Sequence, residues 1–112
     1  MIKKSFGGAL TGTSTTYYTV PTGKKAEWTL LYIMNTSGSN ETVNVDFYDA
    51  STDSTLSILN DFQISSKDFL KLGGGTTDFV ILEEGDQIKA DSNHACSLLI
   101  SVIEYNDIIQ GG

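Results

Sequence analysis

From Thr42 to Tyr48 apolar and polar residues alternate without a break: Val43, Val45 and Phe47 fall on one side, Asn44, Asp46 and Tyr48 on the other. A period of two is what a strand with one wet face requires. Just upstream, Trp28, Leu30, Tyr32 and Met34 share one parity while Leu31 and Ile33 fill the other. A run apolar on both parities describes a strand covered on both faces. Between the two runs, Asn35 to Asn40 is small and polar and contains Gly38, which predicts a hairpin loop joining Ala26–Met34 to Thr42–Tyr48.

The same reading continues along the chain. It predicts eight strands: Thr13–Val20, Ala26–Met34, Thr42–Tyr48, Leu56–Ile64 with a bend near Asn60-Asp61, Phe69–Leu72, Phe79–Leu82, Gln87–Ala90 and Ala95–Tyr105. Pro21-Thr-Gly23 and Glu83-Glu-Gly-Asp86 read as turns. Helical periodicity is sustained nowhere; the one place for a single helical turn is Asp61 to Leu72, where Ser65-Ser66 weakens it. Strands about a dozen residues apart predict an all-β chain, a single antiparallel β-sandwich of jelly-roll-like or immunoglobulin-like form. Residues 1–112 make one domain, with a short N-terminal arm over 1–8 and a C-terminal tail over 106–112. Ala26–Met34 and Ala95–Tyr105 belong at the centre, with the one-sided strands flanking them.

Charge narrows the partners. The net charge of −7 comes from 14 acidic residues against seven basic ones, and all seven are lysines. Without a basic surface or arginine forks the chain lacks both the affinity and the specificity terms of nucleic-acid recognition. Lys3 and Lys4 imitate the start of a leader, but Gly7, Gly8, Thr11 and Gly12 break the apolar run a leader needs. No stretch approaches the roughly 20 apolar residues of a spanning helix, so no membrane partner is expected. Cys96, the single cysteine, lies in an apolar run and reads as core filler rather than a reactive thiol.

Reactive constellations are missing from the pattern. His94 is the only histidine and sits in a polar turn with Asp91, short of the further ligands or bases that a zinc site or triad needs. Asp46, Asp49 and Asp53 form one carboxylate cluster and Glu83, Glu84 and Asp86 another; neither has the spacing of a dedicated calcium loop, and both suit turn chemistry. Gly73-Gly-Gly75 is followed by no Gly-Lys-Ser/Thr, so it is a loop and not a phosphate cradle. Asn35-Thr-Ser37 and Asn40-Glu-Thr42 match the glycosylation pattern. The expectation is a non-enzymatic protein with no cofactor and no metal.

Adhesive features stand out instead. Ile2 and Phe6 lie on the arm, Ile108 and Ile109 on the tail, and apolar side chains there gain only if something covers them. Tyr17 and Tyr18 are adjacent, so in a regular strand one ring faces away from the core. These six residues are the candidate interface. The uncharged edge from Thr11 to Thr19 must also be paired or hidden.

The runs Thr16-Tyr-Tyr-Thr-Val-Pro-Thr-Gly-Lys24, Ala26-Glu-Trp-Thr-Leu-Leu-Tyr-Ile-Met-Asn-Thr-Ser-Gly38, Val43-Asn-Val-Asp-Phe47 and Val80-Ile-Leu-Glu-Glu-Gly-Asp-Gln-Ile-Lys-Ala90 together resemble small accessory virion proteins of tailed bacteriophages, marine phages in particular. The resemblance covers about Thr13 to Tyr105 and is structural, with no functional residue to carry over. It implies a non-enzymatic β-sandwich, a homo-oligomer made in the host bacterial cytoplasm and incorporated in the virion. The expected role is capsid decoration or cement, with the major capsid protein as first partner and tail proteins next. A tail-associated structural protein (fibre, baseplate or adaptor) and a carbohydrate-binding module using Tyr17 or Tyr18 are the alternatives. A small sandwich enzyme converging on His94, Asp91 or Glu residues is a third.

Overall fold

A computed structural model describes residues 1–75, 77 and 80–106. Nine strands form among them: β1 (Ile2–Ala9), β2 (Thr15–Thr19), β3 (Lys24–Asn35), β4 (Glu41–Asp49), β5 (Ser54–Ile64), β6 (Phe69–Gly73), β7 (Val80–Leu82), β8 (Gln87–Ser92) and β9 (Cys96–Asn106). They make two antiparallel sheets. One, sheet A, runs β1-β9-β3-β6, with β7 also on β3; the other, sheet B, runs β2-β8-β4-β5.

The pairing is nested. β1 pairs β9, β2 pairs β8, β3 pairs β6 and β7, and β4 pairs β5. β6 and β7 lie along different stretches of β3, Leu30–Met34 and Ala26–Trp28, and so act as two halves of one edge strand. Counted that way, eight strands form one long hairpin folded across two sheets, which is jelly-roll wiring. The all-β sandwich read from the sequence is the observed architecture, and β9 and β3 sit centrally in sheet A as expected.

Three expectations change. The arm is a strand: Ile2 to Ala9 pairs residue for residue with β9, from Ile2 opposite Glu104 to Ala9 opposite Ser97, and it supplies the ninth strand. Ala26–Met34 and Thr42–Tyr48 do not form a hairpin, because β3 lies in sheet A and β4 in sheet B. The six polar residues between them instead arch across the roughly 10 Å that separates packed sheets. Finally, no helical turn interrupts 61–72. β5 runs to Ile64 and a tight turn follows, with the Asp68 N–H donating to the Ser65 carbonyl at 2.9 Å and Lys67 at φ 63°. The bend near Asn60-Asp61 is present as a register shift against β4, with Asp61 at φ 50°.

Side-chain alternation explains the core. Ala26, Trp28, Leu31 and Ile33 of β3 and Leu98, Ile100 and Val102 of β9 meet Val43, Val45, Ile88 and Ala90 of sheet B, all buried. The switch of parity between Trp28 and Leu31 comes from a bulge at Thr29, which shifts the register between β3 and β9. That bulge turns the Leu30 carbonyl to accept from the Trp28 indole at 3.0 Å, and the Thr29 carbonyl to accept from the Gly74 N–H at 2.7 Å.

Gly73 closes this arrangement at φ +80°, where an added Cβ would stand 2.4 Å from the Thr29 carbonyl oxygen. Left-handed backbone and a backbone clash combine there. Gly73→Ala is expected to lower stability by about 2–3 kcal/mol in urea unfolding. Gly38→Ala, whose Cβ would meet open space, is expected to change it by less than about 0.5 kcal/mol.

Candidate functional site

The two sheets differ in what they show to the outside. Cross-strand partners project to the same face, so the ladders give the outer rows directly. On sheet A one row is Ala9, Ser97, Met34 and Phe69; the next is Gly7, Leu99, Tyr32 and Lys71; a lower row is Lys3, Ile103, Glu27 and Ile81. Phe69, Ile81 and Leu99 are exposed, and the Tyr32 and Phe69 rings stack at 5.4 Å. On sheet B the outer rows are Thr16, Lys89, Asp46 and Ser57, then Thr19, Gln87, Tyr48 and Thr55. Asn44 and Asp91 share the same face, joined by a 2.8 Å hydrogen bond. Sheet B therefore presents a polar, acidic outer face, and sheet A one on which Tyr32, Met34, Phe69, Ile81, Leu99 and Ile103 stand among Lys3, Glu27, Lys71 and the Ser5–Ser101 hydroxyl pair.

The doubly apolar runs of β3 and β9 now have their explanation. Their inner parity fills the sandwich core, and their outer parity builds the apolar face of sheet A. Among the described residues, no strand lies over that face.

A second apolar region opens where the sandwich edge stays unclosed. Leu56, Ile58 and Phe62 of β5 and Leu72 and Val80 of β6 and β7 are exposed there. Phe62 stands opposite buried Val43, Leu72 opposite buried Leu31 and Val80 opposite buried Trp28, so these side chains point between the sheets. Among the described residues, the edge of sheet A is formed by β6 up to Gly73 and by β7 from Val80. A cavity of about 210 Å³ sits at that edge, lined by Trp28, Leu31, Ile58, Leu72 and Val80 among others. Among the described residues nothing ionisable lines it.

The six candidate interface residues fall differently. Ile2 and Phe6 stand on the inner rows of sheet A, beside Glu104 and Ile100. Phe6 packs on the core and tilts against Tyr18 at 5.1 Å between centroids, while Ile2 stays half exposed at the strand's start. Tyr18 is buried, and Tyr17 is half-buried, resting near Gly8 with its hydroxyl donating to the Ala9 carbonyl at 3.1 Å. The rule that one of two adjacent rings must face away fails because the β2 ladder shifts register between Thr16 and Tyr18. A bulge turns both rings toward the domain, and they offer no flat platform for a sugar. Ile108 and Ile109 lie outside the described residues.

Tyr18 ends in a buried polar cluster that the sequence did not suggest. Its hydroxyl donates to Glu104 Oε2 at 2.6 Å, and Lys4 Nζ stands 2.9 Å from Glu104 Oε1. Burial pushes the Glu104 carboxyl up, but hydrogen bonds from Tyr18 and Lys4 and the charges of Lys4 and Lys24 outweigh it and hold it below the usual range. Burial and the neighbouring Glu104 raise the Tyr18 hydroxyl. Tyr18 and Glu104 satisfy each other inside the sandwich and the partly exposed Lys4 closes the pair from its rim, so the cluster is structural. The only hint in the sequence was Glu104 at an inward parity of β9.

The ionisable groups singled out earlier are dispersed. His94 is exposed, with Nδ1 3.9 Å from buried Glu41, and Asp91 is bound to Asn44 on the opposite parity. Cys96 is buried, and burial raises its thiol, which leaves it a poor nucleophile. Asp86 accepts from the Ala50 and Glu83 N–H groups, Glu84 from the Gly23 N–H, Asp53 from the Tyr48 hydroxyl, and Asp49 from Ser51. Those carboxylates tie turns together. Among the described residues no group of three or more His, Cys, Asp or Glu is placed to hold a metal ion. No protein-family model and no curated protein sequence matches the chain.

Proposed function

We propose that this chain is a non-enzymatic virion structural protein of a tailed bacteriophage, a capsid decoration or cement protein that works by subunit adhesion. One observation carries the reading: the exposed large apolar side chains gather on the outer face of sheet A and at the open β5–β6 edge, while sheet B is polar outside. Contiguous apolar surface on a small domain marks a place where another macromolecule sits. Spread over several strands, it suits a protein face, which buries area over many weak contacts, better than a compact ligand. Symmetric repetition over a particle multiplies such contacts without any single strong one. The resemblance of the strand-and-turn runs to accessory virion proteins points the same way.

The test is made on purified particles of the phage that carries the gene. Immunogold labelling with an antibody to this chain, together with quantitation of its copies, is expected to decorate the head in many copies. Label confined to the tail would replace the capsid role by a tail role. Absence from intact particles would overturn the proposal.

A further inference from the structure

The apolar face of sheet A has a shape and a charge pattern that fit one occupant. Across its upper rows β1 and β9 carry small residues apart from Leu99, and β3 and β6 carry bulky ones with Lys71 at the outer edge. β1 and β9 contribute Gly7, Ala9 and Ser97, which form a low shelf; β3 and β6 contribute Tyr32, Met34 and Phe69, which form a ridge. A face built as shelf beside ridge is complementary to itself. A twofold axis lying in the contact plane, parallel to the strands and between β9 and β3, sets each ridge over the other copy's shelf.

We infer that two copies of this chain associate through the outer face of sheet A about that axis. Phe69 of one copy then covers Ala9 of the other, Met34 covers Ser97, and Leu99 meets Tyr32 near the axis. Charge agrees with shape. Lys3 and Glu27 share one row of the same copy but stand two strands apart, with Ile103 between them. The twofold moves the second copy's Glu27 to within one strand spacing, about 4.8 Å sideways, of the first copy's Lys3. Two side chains of that length span the roughly 10 Å between packed sheets, so two symmetric ion pairs close the rim. Sheet B offers no equivalent, because its outer face is polar and acidic and lacks a ridge. Four strands about eight residues long cover about 19 by 26 Å, so the pair buries about 1,000 Å² in total, the lower bound of a specific interface. The contact is modest, as suits a subunit that gains further support from its neighbours.

The experiment is sedimentation of the purified full chain over a range of micromolar concentrations, with circular dichroism to verify that each variant is folded. A reversible species of twice the chain mass is expected. Phe69→Asp, which charges the ridge, and Ala9→Lys, which fills the shelf, should each weaken dimerisation about tenfold or more; both positions are exposed, so folding is preserved. Lys3→Glu and Glu27→Lys should each weaken it alone, and the double reversal should restore it, which no role within one chain predicts. A monomer at every concentration, a different closed oligomer, or a dimer unmoved by both Phe69→Asp and Ala9→Lys would overturn the inference. The dimer is read from the isolated chain, so its failure leaves the virion proposal standing on the particle experiment, and the reverse also holds.

Discussion

Replacing Asn35 by Ala is expected to cost about 3–5 kcal/mol, the largest effect of any single polar change in the domain. Asn35 is fully buried at the end of β3, where the chain leaves sheet A for sheet B. Its Nδ2 donates to the Ser39 carbonyl at 2.7 Å, the Ile64 carbonyl at 2.9 Å and the Ser65 carbonyl at 3.2 Å, and its Oδ1 accepts from the Ser37 N–H at 2.8 Å. One side chain thus binds the β3–β4 arch to the end of β5. Truncation takes the side-chain partner from the Ile64 carbonyl and the Ser37 N–H, while the Ser39 and Ser65 carbonyls keep their bonds from the Ser37 hydroxyl and the Asp68 N–H; each buried orphan costs about 1–3 kcal/mol. Asn35→Asp tests the same point differently, since a carboxylate keeps the acceptor and loses the donors. Urea unfolding should place both variants well below wild type, with Gly38→Ala, whose added Cβ meets open space in the same arch, close to it. Burial also removes Asn35 from consideration as a glycan acceptor.

The second large effect is at Glu104. Glu104→Leu should lower stability by about 3 kcal/mol, because it leaves the Tyr18 hydroxyl buried without its acceptor and Lys4 without its partner. Tyr18→Phe should cost less, about 1 kcal/mol, since Lys4 still neutralises the carboxylate. The pH dependence follows from the directions. Glu104 is held below the ordinary carboxylate range, so its contribution is present above the unfolded value near 4.3 and fades as the pH falls through the lower folded value. Tyr18 is raised, so its contribution is complete below about pH 10 and fades as the pH rises beyond it. Glu104→Gln should therefore flatten the acid limb of the stability curve. A variant with an unchanged acid limb would show that the carboxylate does not titrate as described.

How much of this was legible in the sequence depends on the element. The strict alternation of Val43, Val45 and Phe47 located β4, and the doubly apolar runs located β3 and β9 at the centre of a sheet. What those runs could not reveal is that no strand among the described residues lies over the second apolar face. Periodicity reports burial propensity, and a face that binds a partner has the same composition as a face that binds a neighbouring strand. The loop Asn35 to Asn40 was legible as a loop, yet its length and polarity serve a hairpin and an inter-sheet arch equally; only the buried Asn35 tells them apart. The bulges at Tyr17 and Thr29 were illegible, because one extra residue in a ladder changes which side chains face inward without a residue type that marks it. Reading Ile2 to Phe6 as a free arm failed for a related reason. An apolar segment cut off by Gly7-Gly8 looks like a free arm, but both glycines continue β1 through to Ala9.

The adhesive role proposed for the outer face of sheet A is open to a direct measurement. Hydroxyl-radical footprinting compares side-chain accessibility between the dilute chain and the assembled state, whether dimer or particle. Tyr32, Met34 and Phe69 on sheet A are expected to be protected on assembly, with Tyr48 on the outer face of sheet B unchanged. Protection of Tyr48 with Tyr32, Met34 and Phe69 still fully reactive would contradict the account.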